Sequence, residues 1–202
     1  MSDLLEYERE LWNSGYEFIA GVDEAGRGPL AGPVYAAAVI LPKGVVIDGV
    51  NDSKKLTEKK REALFEVIKE TAVSYAIVSV DEKEIDEINI LNASMKAFAK
   101  ALDELSQKAD YALLDGNRAP KLDIPYEAVV KGDAKSQSIA AASILAKVSR
   151  DRYITQMDEV YPQYGFAKHK GYPTKEHKEA VAKYGPSPIH RLTFKGVAEH
   201  VK

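Results

Sequence analysis

Residues 18–41 read FIAGVDEAGRGPLAGPVYAAAVIL, and this stretch sets the expected fold class. Phe18 to Asp23 is a short apolar run that ends in acid, which suits a buried strand. Arg27 to Pro33 is crowded with glycine and proline and reads as a turn. Val34 to Leu41 is a continuous β-capable run, broken by Pro42-Lys43-Gly44. The expected opening is therefore strand, turn, strand.

Outward from there, strands and helices alternate. Thr57 to Thr71 is an expected helix, with Ala63, Leu64, Val67, Ile68 and Thr71 in one stripe and Thr57 as its cap. Tyr75 to Val80 is an expected strand. Leu91, Met95, Phe98, Leu102 and Leu105 step by four and three, the spacing of an amphipathic helix. Tyr111 to Leu114 and Glu127 to Val130 are short expected strands. An alanine-rich helix is expected from about Ser136 to Met157, and a last helix over residues 174–183. This order predicts an α/β fold with a mixed central sheet flanked by helices. Residues 1–17 read as an N-terminal leader, with Leu4, Leu5, Leu11 and Trp12 able to pack as a short helix. Residues 136–202 read as a helical C-terminal part of the same domain, and residues 1–202 as one domain.

Composition narrows the function classes. At 202 residues the chain has the size of about one domain, at ~150 residues each. With 45 % hydrophobic and 29 % charged residues it is neither a disordered chain nor a rod. The absence of cysteine excludes a disulfide framework, a cysteine-ligated zinc and a thiol nucleophile. The opening Met1-Ser2-Asp3-Leu4-Leu5-Glu6 lacks the basic and apolar regions of a signal peptide. No apolar run approaches a membrane span. A cytoplasmic monomer with no membrane partner is the expectation. The net charge of −3 gives no global attraction to phosphates, so any such partner must be met by local cations.

Several residues carry possible chemistry. Asp23 and Glu24 are adjacent acids at a strand end. A regular strand sends neighbours to opposite faces, so a shared site would require a bend there. Otherwise they are a solvated strand end. Asp115 ends another expected strand. Asp133 precedes the alanine-rich helix, where it could cap the first turn. If these acids share one rim of a sheet, their mutual repulsion calls for a hard divalent cation, Mg²⁺ or Mn²⁺ rather than zinc. None of the four histidines forms a metal-binding pair with another, and surface or local structural roles are expected, with His169 and His190 left open.

Gly26-Arg27-Gly28-Pro29-Leu30-Ala31 matches a bare dinucleotide-binding pattern, but that fingerprint must open a helix, and here a β-capable run follows. The expected role is a stiff turn whose backbone N–H groups and missing Cβ atoms admit a sugar or phosphate, with Arg27 as a planar fork. Lys54 and Lys55, with Asp52 and Ser53 before them and Lys59, Lys60 and Arg61 beyond, form a cationic run that is either a phosphate contact or a solvated face. Tyr172 stands in an expected loop, Lys168 to Pro173. It could stack on a sugar or base, or anchor the loop.

Five ordered blocks resemble the ribonuclease HII family: GVDEAGRGPLAGPV from Gly21, NDSKKL from Asn51, LLDGNRAPKL from Leu113, KGDAKSQSIAAASILAKVSRD from Lys131 and YGFAKHKGYPT from Tyr164. The resemblance implies a ribonuclease H-like fold. It implies hydrolysis of the RNA strand in RNA/DNA hybrids, and cleavage 5′ of ribonucleotides embedded in duplex DNA, leaving 5′-phosphate and 3′-hydroxyl ends. It places the catalytic and metal-binding carboxylates at Asp23, Glu24, Asp115 and Asp133, with two divalent ions, Mg²⁺ or Mn²⁺, during catalysis. It places the 2′-hydroxyl-sensing turn at Gly26, Arg27 and Gly28, the junction-sensing tyrosine at Tyr172, and a phosphate contact at Lys54 or Lys55. Asp151 is a rival for the fourth carboxylate, but lies well inside the expected helix and is assigned a structural ion pair. No clamp-binding tail is evident after Phe194. Two other readings are a hybrid-binding module without catalysis and a nucleotide-dependent oxidoreductase.

Overall fold

The computed structural model describes residues 4–51 and 53–201, with the backbone alone for Ser53. Residues 1–3 of the expected leader and Asp52 of the cationic run lie outside the described residues.

The opening is strand, turn, strand as expected: β1 (Ile19–Ala25) pairs antiparallel with β2 (Val34–Ile40), which pairs antiparallel with β3 (Ser74–Val80). On the other side of β1, β4 (Tyr111–Asp115) and β5 (Tyr126–Val129) add in parallel, giving a five-stranded sheet in the order β3-β2-β1-β4-β5. The bend expected of a shared site at Asp23 and Glu24 is absent. β1 keeps its register with β2 through Asp23–Ala37 and Glu24–Ala36, and the chain turns only at Gly26, where φ is 97°. Both acids nevertheless reach one site, because at the end of a strand side chains from either face can overhang the rim.

Helices cover both faces. The α3 helix (Glu82–Asp103) packs Ile85, Phe98 and Leu102 on the face bearing Ala20, Val22, Ala36 and Ala38. The α2 helix (Glu58–Thr71) and the α4 helix (Gln137–Val160) cover the face bearing Ala37 and Val39, burying Phe65, Ile68, Ile144 and Leu145 there. Small side chains on β2 let the helices lie close. Gly21 takes this furthest, since a Cβ there would stand 2.1 Å from the Ser138 carbonyl carbon. α4 is thus wedged against the central strand as part of the sheet's own core.

The α3 helix begins nine residues before the expected stripe. Asp81 caps it, accepting the Glu84 N–H at 2.8 Å, and its first turns are mostly charged, which hides them from a periodicity reading. Asn89, at φ 68°, interrupts it. The leader forms α1 (Glu6–Asn13), whose Leu11 and Trp12 pack on Ile19 and Leu113. In the expected Lys168–Pro173 loop, Lys168 and His169 instead belong to a single-turn helix, α5 (Phe166–His169). The last helix, α6 (Lys175–Tyr184), is capped by Thr174. Among the described residues no helix is long and apolar enough to cross a membrane.

Candidate active site

The parallel β1–β4 ladder ends at Val22 and Leu114, so Asp23 and Asp115, each still paired on its outer side, stand as neighbours just beyond its last pair. They do so at the carboxyl ends of parallel strands, where open α/β sheets hold ligands. β5 runs the same way, and the chain after it folds into a one-turn 3₁₀ helix, Gly132–Ala134, that carries Asp133. Asp115 Oδ1 accepts the Gly132 N–H at 2.7 Å and the Asp133 N–H at 3.3 Å, which fixes this turn against β4. Asp133 does not cap α4. That role belongs to Ser136, whose hydroxyl accepts the Ile139 N–H at 3.2 Å.

A cleft of about 350 Å³ opens over this rim. Asp23, Glu24, Asp115, the Gly26–Gly28 turn, Lys54 and Tyr172 line it, together with Ser143 and Lys147. Asp133 is buried behind the lining, and its charge is felt by Asp23. Lys55 is exposed and does not line the cleft, and neither do Lys59 and Lys60. Of the two lysines left open by the sequence, Lys54 is the one at the site.

Electrostatics sets the character of the cleft. Burial holds the Asp23 carboxyl well above the usual carboxylate range. The charges of Glu24 and Asp115 push it the same way, against a 2.7 Å hydrogen bond from the Glu24 N–H. Glu24 is raised to about 7, mainly by burial, although Arg27 pulls it down from 3.5 Å away. Glu24 Oε2 is buried with no hydrogen-bond partner. A buried carboxylate oxygen without a donor, beside acids crowded by like charge, is an all-oxygen donor set that suits a hard divalent cation. The residues present therefore fit Mg²⁺ or Mn²⁺. Among the described residues no three acidic or histidine side chains stand together as a ready ligand set.

The Gly26–Gly28 turn leads into β2 rather than into a helix, which removes the dinucleotide-binding reading. A Cβ on Gly26 would lie 2.2 Å from Arg150 Nε, so the turn admits only glycine there. Tyr172, 40 % exposed, closes one side of the cleft with Lys147 Nζ 5.7 Å and Arg150 Cζ 5.9 Å from its ring centre. Asp151 takes the structural ion pair assigned to it, with Lys147 Nζ at 2.8 Å.

Sequence reasoning missed several residues. Ser143, Lys147 and Arg150 step by four and three along α4, so helical spacing from one of them would have found the stripe. Arg191 gave no signal, being a single arginine in an irregular tail. Of the surface or local structural roles expected for the histidines, the second holds for three of the four: His169, His177 and His190 are buried together, with His177 Nε2 and His190 Nε2 3.0 Å apart, while His200 is half-buried.

Comparison with known proteins bears on the sequence and the fold. The family model for ribonuclease HII matches residues 20–197. The ribonuclease HII of Caldanaerobacter subterraneus subsp. tengcongensis is 61 % identical over 188 residues, covering 93 % of this chain and 78 % of that protein. The crystal structure of ribonuclease H2 from Pyrococcus horikoshii OT3 superposes with a TM-score of 0.76 at 32 % identity, covering 90 % of this chain and 95 % of that one. The crystal structure of Bst-RNase HIII in complex with Mn²⁺ shares the fold, with a TM-score of 0.72 at 18 % identity over 91 % of this chain and 69 % of that one. In sequence and in fold, this chain belongs to the ribonuclease HII family of endonucleases.

Proposed function

We propose that the chain hydrolyses the RNA strand of RNA/DNA hybrids and cleaves on the 5′ side of ribonucleotides embedded in duplex DNA, leaving 5′-phosphate and 3′-hydroxyl ends. The observation that carries this reading is the single cleft in which Asp23, Glu24 and Asp115 meet the Gly26–Gly28 turn, Lys54 and Tyr172. Carboxylates that suit a divalent ion stand there beside groups that suit a nucleic-acid backbone and sugar.

In this reading Asp23, Glu24, Asp115 and Asp133 hold Mg²⁺ or Mn²⁺, and the Mn²⁺ complex of a protein of the same fold supports that metal class. When bound, such ions supply charge neutralisation at the scissile phosphate and a more acidic water. Asp115 serves two purposes: one oxygen fixes the Asp133 turn while the carboxylate faces the cleft. Lys54 and Lys147 offer cations to the phosphates. The turn presents backbone donors to the 2′-hydroxyl, the group that separates RNA from DNA, and the exposed face of Tyr172 packs on the sugar or base beyond it.

The test is a cleavage assay on three labelled duplexes: a full RNA/DNA hybrid, a DNA duplex with one ribonucleotide, and all-DNA. Each is incubated with Mg²⁺, with Mn²⁺ or with EDTA. Cuts 5′ of the ribonucleotide, dependent on a divalent ion and absent from all-DNA, are expected. Binding without cleavage under every ion would instead favour a hybrid-binding module.

A further inference from the structure

Arg191 is fully buried, yet all four hydrogen bonds of its side chain go to backbone carbonyl oxygens of one short segment. Nη2 donates to Gly26 O at 2.6 Å, Nη1 to Arg27 O at 3.0 Å and Pro29 O at 2.9 Å, and Nε to Gly32 O at 2.9 Å. The ring of Phe194 covers the guanidinium, 5.0 Å from centroid to Cζ. The residues around Arg191 run beside the same turn. The Arg191 N–H donates to Leu30 O at 2.8 Å, and the Gly32 N–H to Ile189 O at 2.8 Å.

A trans peptide is planar, and its C=O and N–H point opposite ways. Carbonyls of Gly26 and Arg27 that are pulled inward onto a buried cation therefore turn the N–H groups of Arg27 and Gly28 outward, on the side where these residues line the cleft. Pro29 has no N–H to offer, and the Leu30 N–H is taken by Gly171 O at 2.8 Å. The N–H groups of Arg27 and Gly28 have no partner among the described residues. A planar guanidinium suits this work because its donors are fixed in one plane and it needs no acceptor of its own.

We infer that Arg191 is a positioning residue for ribonucleotide recognition: it holds the peptide planes of the Gly26–Gly28 turn so that the Arg27 and Gly28 N–H groups face the substrate sugar. This rests on the proposed reading of the turn as the 2′-hydroxyl sensor. It adds a residue from the far end of the chain that never touches the substrate.

The readout is a ratio: affinity for a DNA duplex with one ribonucleotide over affinity for the same all-DNA duplex, measured by fluorescence anisotropy in EDTA. Both affinities report the same folded molecules, so a loss of folded protein leaves the ratio unchanged. Arg191→Lys keeps the charge but loses the fork, and the ratio should fall roughly tenfold, the worth of about one hydrogen bond, with all-DNA binding little changed. Gly28→Ala acts on the turn directly. It fits the fold, since its Cβ would lie 3.7 Å from Tyr172 Cε1, an ordinary contact, and it should lower the same ratio. If Arg191→Lys does not fold, Phe194→Leu, which removes only the ring over the guanidinium, must lower the ratio in its place. A ratio kept by the Arg191 or Phe194 variant but lost in Gly28→Ala overturns the role of Arg191 and spares the reading of the turn. A wild-type protein without the preference, or a Gly28→Ala protein that retains it, overturns the reading itself.

Discussion

At the scale of single residues, Asp23 and Glu24 are held where their charged forms cost stability. Asp23 is buried among like charges and its carboxyl is raised, so the folded state favours its protonated form. An acid with a raised folded pKa weakens the fold as pH climbs past its unfolded value. Asp23→Asn should therefore melt higher than wild type at pH 7 to 8 in EDTA, while losing metal-dependent cleavage by a factor of about a thousand or more, in line with removal of a group that organises transition-state charge. Asp115→Asn should lose cleavage as severely. Full activity in either variant would remove the site. Tyr172 is a different case, half in the cleft and half in solvent. Its replacement by alanine should reduce cleavage at single ribonucleotides more than cleavage of long hybrids, by roughly tenfold for one lost base or sugar contact. An equal loss on both substrates would leave Tyr172 as a loop anchor.

At the scale of elements, two junctions set the site. The first is the start of α4, which sits on Gly21 and beside Asp133. Its leading N–H groups are met by Leu4 O at 2.7 Å, by Glu8 Oε1 at 3.0 Å and by the Ser136 hydroxyl at 3.2 Å. The Ser136 hydroxyl in turn donates to Glu8 at 2.6 Å. α1 is thus a cap for α4 supplied from the other end of the chain. Glu8→Ala should cost about 2–3 kcal/mol in chemical denaturation, because it leaves a buried N–H and a hydroxyl without their acceptor. The second junction is the histidine cluster behind Tyr172. His190 Nδ1 accepts the Ser187 N–H at 2.9 Å, so its proton sits on Nε2 and is donated to His177 Nε2. His177 Nδ1 then donates to the Tyr172 carbonyl at 2.9 Å. The His190 and His177 rings are both neutral in this relay. Burial depresses His177 to about 4 and His190 to about 3, below the ordinary value of 6.5. Between those limits the unfolded chain binds more protons than the folded one, so stability is full above pH ~6.5 and falls as pH drops toward 4. Melting temperature against pH should show this acid slope, and His177→Asn, which keeps a donor for the Tyr172 carbonyl, should flatten it.

At the scale of the whole molecule, the sheet gathers acids from sequence positions about a hundred residues apart, and a net charge of −3 leaves recognition to local cations around the cleft. Added Mg²⁺ or Mn²⁺ should raise the melting temperature, as any ligand of the folded state does. The rise should be larger at pH 8 than at pH 6, since Glu24 at about 7 must give up a proton to ligate. It should be small in Asp115→Asn. A pH-independent rise, or one unchanged in that variant, would place the ions elsewhere. Local patterning by itself determined the strands, the capped α2 and the apolar stripe of α3, because propensity, turn residues and apolar spacing are short-range properties of a chain. The five blocks also marked the four acids, the glycine turn and Tyr172. Tertiary structure alone decided the rest. The pairing of β1 with β4 put Asp23 beside Asp115, and Lys54 rather than Lys55 met the cleft. Ser136 took the cap that Asp133 was free to take, and Arg191 came to lie under a turn some 160 residues earlier. These are contacts between distant segments, fixed by packing and by the need of buried polar groups for partners, and nothing in the neighbourhood of either residue encodes them.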